Sequence, residues 1–159
     1  MEEILDRRFM QVAIDLSLDN VRQGTGGPFG AVVVRNGEII ARGANLVTSS
    51  NDPTAHAEVV AIREACRYLG EFQLTGCEIY TSCEPCPMCM GAIYWARPRR
   101  VFFGNTHLDA AAIGFDDSFI YQELAKAPGD RLIPLVPLMR DEALAAFRAW
   151  TANNDKVNY

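Results

Sequence analysis

The chain has no apolar run long enough to cross a bilayer, no basic excess, no internal repeat and no linker. Each absence excludes something. A membrane-spanning helix needs about 20 consecutive apolar residues, so no membrane association is expected. The stretch MEEILDRRFMQVAIDLSLDNV alternates charge with apolar positions and lacks the apolar centre of a secretion signal, which points to the cytoplasm. A net charge of −5 argues against a nucleic-acid partner, whose affinity would come mostly from Lys and Arg on phosphates. Arg97, Arg99 and Arg100 form the one local basic cluster. Without linkers, residues 1–159 read as a single domain, long enough to bury a core unaided. The cysteines at 66, 77, 83, 86 and 89 are odd in number, which disfavours a disulfide framework and favours reduced thiols, some of them metal ligands.

What is present is a series of short elements. Ile4, Leu5, Phe9, Val12, Ala13, Leu16 and Val21 recur at helical spacing over residues 4–23, and GTGGPFG stops that helix. AVVVRNGEIIARGANLV reads as two strands about Asn36-Gly37, a pair suited to a type I′ turn. A helix is expected from about Pro53 to Tyr68, with Asp52 as N-cap and Pro53 at the first position. CEIYTSC suits a buried strand, PMCMGAIYWA a short helix ended at Arg97-Pro98, and RRVFFGN another strand. SFIYQELAKA reads as a helix, RLIPLVPLM as a proline-bearing edge strand and DEALAAFRAW as a last helix. Helices alternating with strands after the hairpin predict an α/β fold: a mixed, partly parallel sheet covered on both faces.

Two segments carry chemistry. In DPTAHAEVVAIREAC, His56 and Glu58 lie two positions apart, roughly 200° around a regular helix, so inside one they would face opposite ways. Near a helix start, where the first turn is irregular, they can converge. In TSCEPCPMCMGA the cysteines fall at 83, 86 and 89, and Pro87 makes Cys86 a candidate N-cap with Cys89 in the first turn. Backbone N–H groups and the positive helix end there favour thiolate, the form that binds metal. His56, Cys86 and Cys89 make a Cys2His set that leaves one zinc position open for water. The alternatives are a surface histidine, a redox dithiol, or a closed structural zinc site with Cys83 as fourth ligand. None of these gives Glu58 a task. His-Ala-Glu followed by Pro-Cys-Pro-Met-Cys is the pattern of zinc-dependent nucleobase deaminases, in which a glutamate that does not bind the metal moves the proton. Position 60 is Val60, so the His-Glu-x-x-His arrangement of zinc proteases is excluded.

Over nearly its whole length the chain resembles one branch of the cytidine deaminase-like superfamily, the bacterial guanine deaminases. The resemblance is carried by GGPFGAVVV, NDPTAHAEV, AIREAC, YTSCEPCPMCMGAIYWARP, IGFDDSFIY and a tail ending in tyrosine, KVNY. It implies a three-layer α/β/α fold with a mixed five-stranded sheet, and a homodimer with one zinc ion per subunit. It also implies that the C-terminal tail, about 150–159, can cross to the partner and bring Tyr159 over its pocket. The reaction implied is hydrolysis of guanine to xanthine and ammonia, with Glu58 as proton shuttle and the Cys86 backbone N–H stabilising the added oxygen. Asn45 would hydrogen-bond the purine, Asp117 rather than Asp116 would accept a ring N–H, and Phe29 would form part of the wall. Either aspartate could instead cap the helix that follows. Phe115 and Trp95 are expected in the core, and His107 on the surface without a role. Guanosine is the near alternative substrate; cytosine, or adenosine in tRNA, is more distant.

Overall fold

The computed structural model describes residues 2–159; the side chains of residues 1–6, Ile4 and Leu5 included, lie outside the described residues. The amino-terminal periodicity forms α1 (Glu2–Arg22), which buries Phe9 and Ala13 and leaves Val21 in solvent. Strands β1 (Gly30–Arg35) and β2 (Glu38–Ala44) follow as an antiparallel hairpin. Asn36 and Gly37 have φ of 53° and 77°, the positive values that a type I′ turn demands of both central residues.

A short helix, α2 (Val47–Ser50), precedes α3 (Ala57–Leu69). The helix expected from Pro53 therefore starts later, and Asp52 is not its cap. The Asp52 carboxylate instead accepts from Thr54 N at 2.8 Å and Thr54 Oγ1 at 2.7 Å, and Ala55 N donates to the Asp52 carbonyl at 3.0 Å. This local turn satisfies the backbone that a helix would otherwise have used. The cap is His56, extended at φ −68° and ψ 154°.

Then come β3 (Cys77–Cys83), α4 (Pro87–Ala96) and β4 (Arg100–Asn105). The sheet order is β2-β1-β3-β4, with β1 antiparallel to both its neighbours and β3 parallel to β4. Alternate side chains of β1 separate the two faces. Val32 and Val34 pack with Phe9 and Tyr80 on one face, while Ala31 and Val33 join Ile79, Ala57, Ala61 and Ile93 on the other. Helices thus cover both faces, as expected of the α/β/α class. Ala57, Ala61 and Ala65 form a stripe of small residues that lets α3 approach the sheet closely. At the contact, a Cβ on Gly43 would lie 2.2 Å from the Ala57 carbonyl oxygen, so a side chain on β2 there would push α3 away.

Among the described residues the sheet has four strands, not the expected five. RLIPLVPLM forms none. Pro134 and Pro137 have no N–H to give a ladder, and the neighbouring donors are used locally. Leu132 N donates to Glu123 Oε2 at 2.5 Å and Leu135 N to the Pro128 carbonyl at 3.0 Å.

The chain divides into two compact units, one ending at Asp117 and the other running from Ser118 to Tyr159. The first also contains α5 (His107–Ala112), whose capping box pairs Thr106 with Asp109. The second contains α6 (Ser118–Ala125), a 3₁₀ turn (Pro128–Asp130) and α7 (Arg140–Ala152).

Candidate active site

Two helix starts meet at the site. His56 caps α3 without being part of it, so its side chain is freed from the helical rotation that would turn it away from Glu58. Cys86 caps α4 in the same extended conformation, φ −66° and ψ 168°, with Pro87 locked into the first turn and Cys89 following. His56 Nδ1 lies 3.6 Å from Cys86 Sγ and 3.4 Å from Cys89 Sγ, and the three ligand atoms all fall within 4.8 Å of one another.

The donor set suits zinc. Tetrahedral bonds of about 2.3 Å to sulfur and about 2.0 Å to nitrogen would hold an S and an N ligand about 3.6 Å apart. Charge points the same way. The Cys86 thiol is lowered to about 4, first by a hydrogen bond from the Cys89 side chain and then by His56. That bond, with burial and the nearby Glu58 charge, pushes Cys89 up. His56 is raised by its hydrogen bond to Cys86 and by the charges of Cys86 and Glu58. Two thiols that cannot both ionise unaided, beside a carboxylate, make a pocket for a cation. Among the described residues this is the one His/Cys/Asp/Glu group with such geometry.

Cys83 stands outside the group, so the closed four-ligand alternative is not what the fold builds. Its Sγ donates to the Thr106 carbonyl at 3.7 Å, and burial raises its thiol to about 11, keeping it protonated. Glu58 is only 6% exposed on the first turn of α3, and burial raises its carboxyl. A buried carboxyl raised from its ordinary value suits proton transfer better than a fully solvated one.

The other expected residues are placed as follows. Asn45, at the end of β2, is buried, with Oδ1 accepting from Gly27 N at 3.3 Å and Val47 N at 3.2 Å. Asn45 N donates to the Phe29 carbonyl at 3.1 Å, which brings these two residues together. The ring of Phe29 meets Phe115 edge to face at 5.0 Å. Asp117 is half-buried; burial raises its carboxyl, and the Cys86 charge adds to this. Phe115 and Trp95, expected in the core, are instead 47% and 63% exposed. Tyr159 lies in the second unit.

Three features escaped the sequence. His107 is on the surface as expected, but its Nδ1 lies 2.8 Å from Glu84 Oε2, and its backbone N donates to the same oxygen at 2.9 Å. Arg99 and Arg100 both pair with Glu78, at 3.0 and 2.8 Å, so one carboxylate is shared by two members of the basic cluster. Buried Asn20 donates to the backbone of Gly27 in the glycine-rich turn and of Asn45 after β2. No spacing rule signals any of these, because each feature includes a partner about 20 or more residues away in sequence.

Residues 3–105 match the family described as the cytidine and deoxycytidylate deaminase zinc-binding region. The chain belongs to this family. Within the matched residues the structure gathers His56, Cys86 and Cys89 into a group able to hold a metal ion. Within the family the chain is similar to guanine deaminase of Bacillus subtilis, 56% identical over 95% of this chain and 97% of that one. The X-ray structure of guanine deaminase from that organism superposes with a TM-score of 0.94 over 96% of this chain and 98% of the other. A guanine deaminase from Nitrosomonas europaea is 32% identical, with a TM-score of 0.66 over 91% of this chain and 84% of that one. A tRNA-specific adenosine deaminase of Agrobacterium fabrum matches at 49% identity, but over only 48% of this chain and 51% of its own length.

Proposed function

We propose that the chain is a zinc-dependent aminohydrolase that converts free guanine to xanthine and ammonia, with both units serving one catalytic domain. The observation that carries this reading is the convergence of three metal donors and a buried, non-ligating carboxyl at two helix starts. Similarity to guanine deaminases over almost the whole chain narrows the substrate.

His56 Nδ1, Cys86 Sγ and Cys89 Sγ would hold one zinc ion. When bound, zinc supplies the positive charge that lowers the pKa of a water from about 15.7 to near 7. Glu58 takes that water's proton as the oxygen bonds to C2 of the purine. It delivers that proton to a ring nitrogen, then carries the remaining proton of the added hydroxyl to the exocyclic nitrogen, and the C2–N bond breaks to release ammonia and leave a C2 carbonyl. The Cys86 backbone N–H stabilises the oxygen added to the ring carbon.

Guanine presents a lactam N1–H donor where adenine presents the N1 acceptor. Asp117 would accept from that donor. Asn45 has committed its Oδ1 to Gly27 and Val47, so its Nδ2 is the group it can offer the purine. Phe29 would lie against the ring.

The chain would act as a homodimer, with Tyr159 closing the partner's pocket. Support comes from the second unit, where Leu132, Ile133, Val136 and Leu138 are strongly exposed, an apolar surface that a solitary chain seldom leaves in water. The cytoplasm suits a protein whose five cysteines are all free; no described helix is long and apolar enough to cross a membrane.

Ammonia release, assayed in parallel on guanine, guanosine, adenine, adenosine, cytosine and cytidine, tests the assignment. Guanine should be the one efficient substrate. Turnover of guanosine at an equal or higher kcat/KM would overturn the free-base reading, and preference for a cytosine compound would overturn the purine reading.

A further inference from the structure

Asn20 lies near the end of α1, far in sequence from the metal and proton-transfer residues, yet it is only 5% exposed and its side chain spans two segments. Its Nδ2 donates to the Gly27 carbonyl at 2.8 Å and to the Asn45 carbonyl at 2.9 Å. Asn45 returns the contact from its side chain, Oδ1 accepting Gly27 N at 3.3 Å. The two asparagines thus close a ring of hydrogen bonds around Gly27 and Asn45. The adjoining Gly26 is pressed so close that a Cβ there would lie 2.1 Å from the Asn45 carbonyl oxygen.

The arrangement has a directional consequence. Gly27 N and Val47 N hold the Asn45 amide with its oxygen inward, so its nitrogen is the end left for a ligand. If the Gly27 backbone shifts, the amide loses one of the two donors that fix which way it faces. The Gly27 carbonyl also accepts from Phe29 N at 2.8 Å, so the Asn45 carbonyl depends more on the Asn20 amide, and a buried carbonyl without a donor is costly.

We infer that Asn20 is a positioning residue for substrate recognition: by pinning the Gly27 and Asn45 carbonyls it fixes the Asn45 amide as a hydrogen-bond donor to the purine. This rests on the reading of Asn45 as a purine contact. Asn20 touches no reacting atom and acts through Asn45 alone.

A double-mutant cycle on the zinc-loaded enzyme separates this from general loosening of the fold. Asn20→Asp replaces the donor by an acceptor; Asn20→Ser, a milder change, keeps a single O–H donor on a shorter arm. Each is measured alone and combined with Asn45→Ala, with guanine as substrate and zinc content as a control. Either Asn20 variant should raise KM by up to about tenfold, the order of one lost hydrogen bond, with kcat little changed. In the Asn45→Ala background the same substitution should alter KM by less than about twofold. Full multiplicative losses in the double variants, or a fall in kcat and zinc content in place of the KM effect, would overturn the positioning role while leaving Asn45 as a contact. If Asn45→Ala itself leaves KM unchanged, the recognition reading fails first and this inference with it.

Discussion

His56 and Glu58 can serve one site because they do not share a helix. His56 ends the preceding extended segment and its carbonyl accepts the first helical bond, from Val60 N at 2.9 Å, while Glu58 belongs to the first turn of α3. In the proposed reaction their work separates in the same way, one holding metal and the other moving a proton. Glu58→Gln should therefore retain zinc, as metal analysis would show, while kcat for guanine falls by about 10²-fold or more. Glu84 and His107 provide a pH-dependent clamp between the loop ahead of Cys86 and α5. Its hydrogen bonds from the His107 backbone and ring lower Glu84, and that contact raises His107. The raised histidine stabilises fully below its ordinary value and loses this effect as pH rises through the folded value. The lowered carboxyl stabilises fully above its ordinary value and loses this effect as pH falls through the folded one. The pair thus contributes most between about pH 4.5 and about 6.5. Chemical denaturation of His107→Ala and the parent should show the largest difference in that window, shrinking toward alkaline pH.

At the level of elements, function depends on how closely α3 lies on β2. Gly43 and the alanine stripe permit that approach, and His56 stands at the end of the helix so placed. Gly43→Ala should cost about 1–3 kcal/mol, the usual effect of forcing extra volume into a packed contact. Calorimetry would show a lower Tm, and competition with a chelator would show weaker zinc retention. The hairpin turn and the Cys86 cap were legible in the sequence because each depends on adjacent residues, Asn36-Gly37 and Cys86-Pro87. The misplaced start of α3 shows the limit of local rules: Asp52 has the chemistry of an N-cap, and Thr54 diverted it into a turn. The fifth strand failed for a comparable reason. An apolar run with two prolines can resemble an edge strand, but Glu123 and Pro128 claim its N–H groups first.

For the whole molecule, the two units differ in how much they bury. The first has its own core on both faces of the sheet, whereas α6 and α7 contain no fully buried residue. An element pair that buries so little gains little from hydrophobic stabilisation unless another surface covers it. Analytical ultracentrifugation should accordingly give twice the chain mass. Removal of the last few residues, Tyr159 included, should lower kcat/KM for guanine much more than it lowers Tm; an unchanged kcat/KM would remove the tail from the catalytic account. The acidic balance at this scale also fits a small-molecule substrate, since Arg99 and Arg100 already share Glu78 rather than forming an open basic face.

The sequence by itself determined the donor types and their local settings: an imidazole and a carboxylate two positions apart, two thiols spaced by Pro-Met, and a turn, a cap and a helix start set by neighbouring residues. Such features follow from covalent spacing and backbone chemistry, which act over a few residues. Only the tertiary structure decided that the Cys83 thiol turns to the Thr106 carbonyl, that Asn20 and Asn45 lock together, and that His107 joins Glu84. Each of those outcomes is a competition for one hydrogen bond or one space among groups distant along the chain, and packing alone brings the competitors together.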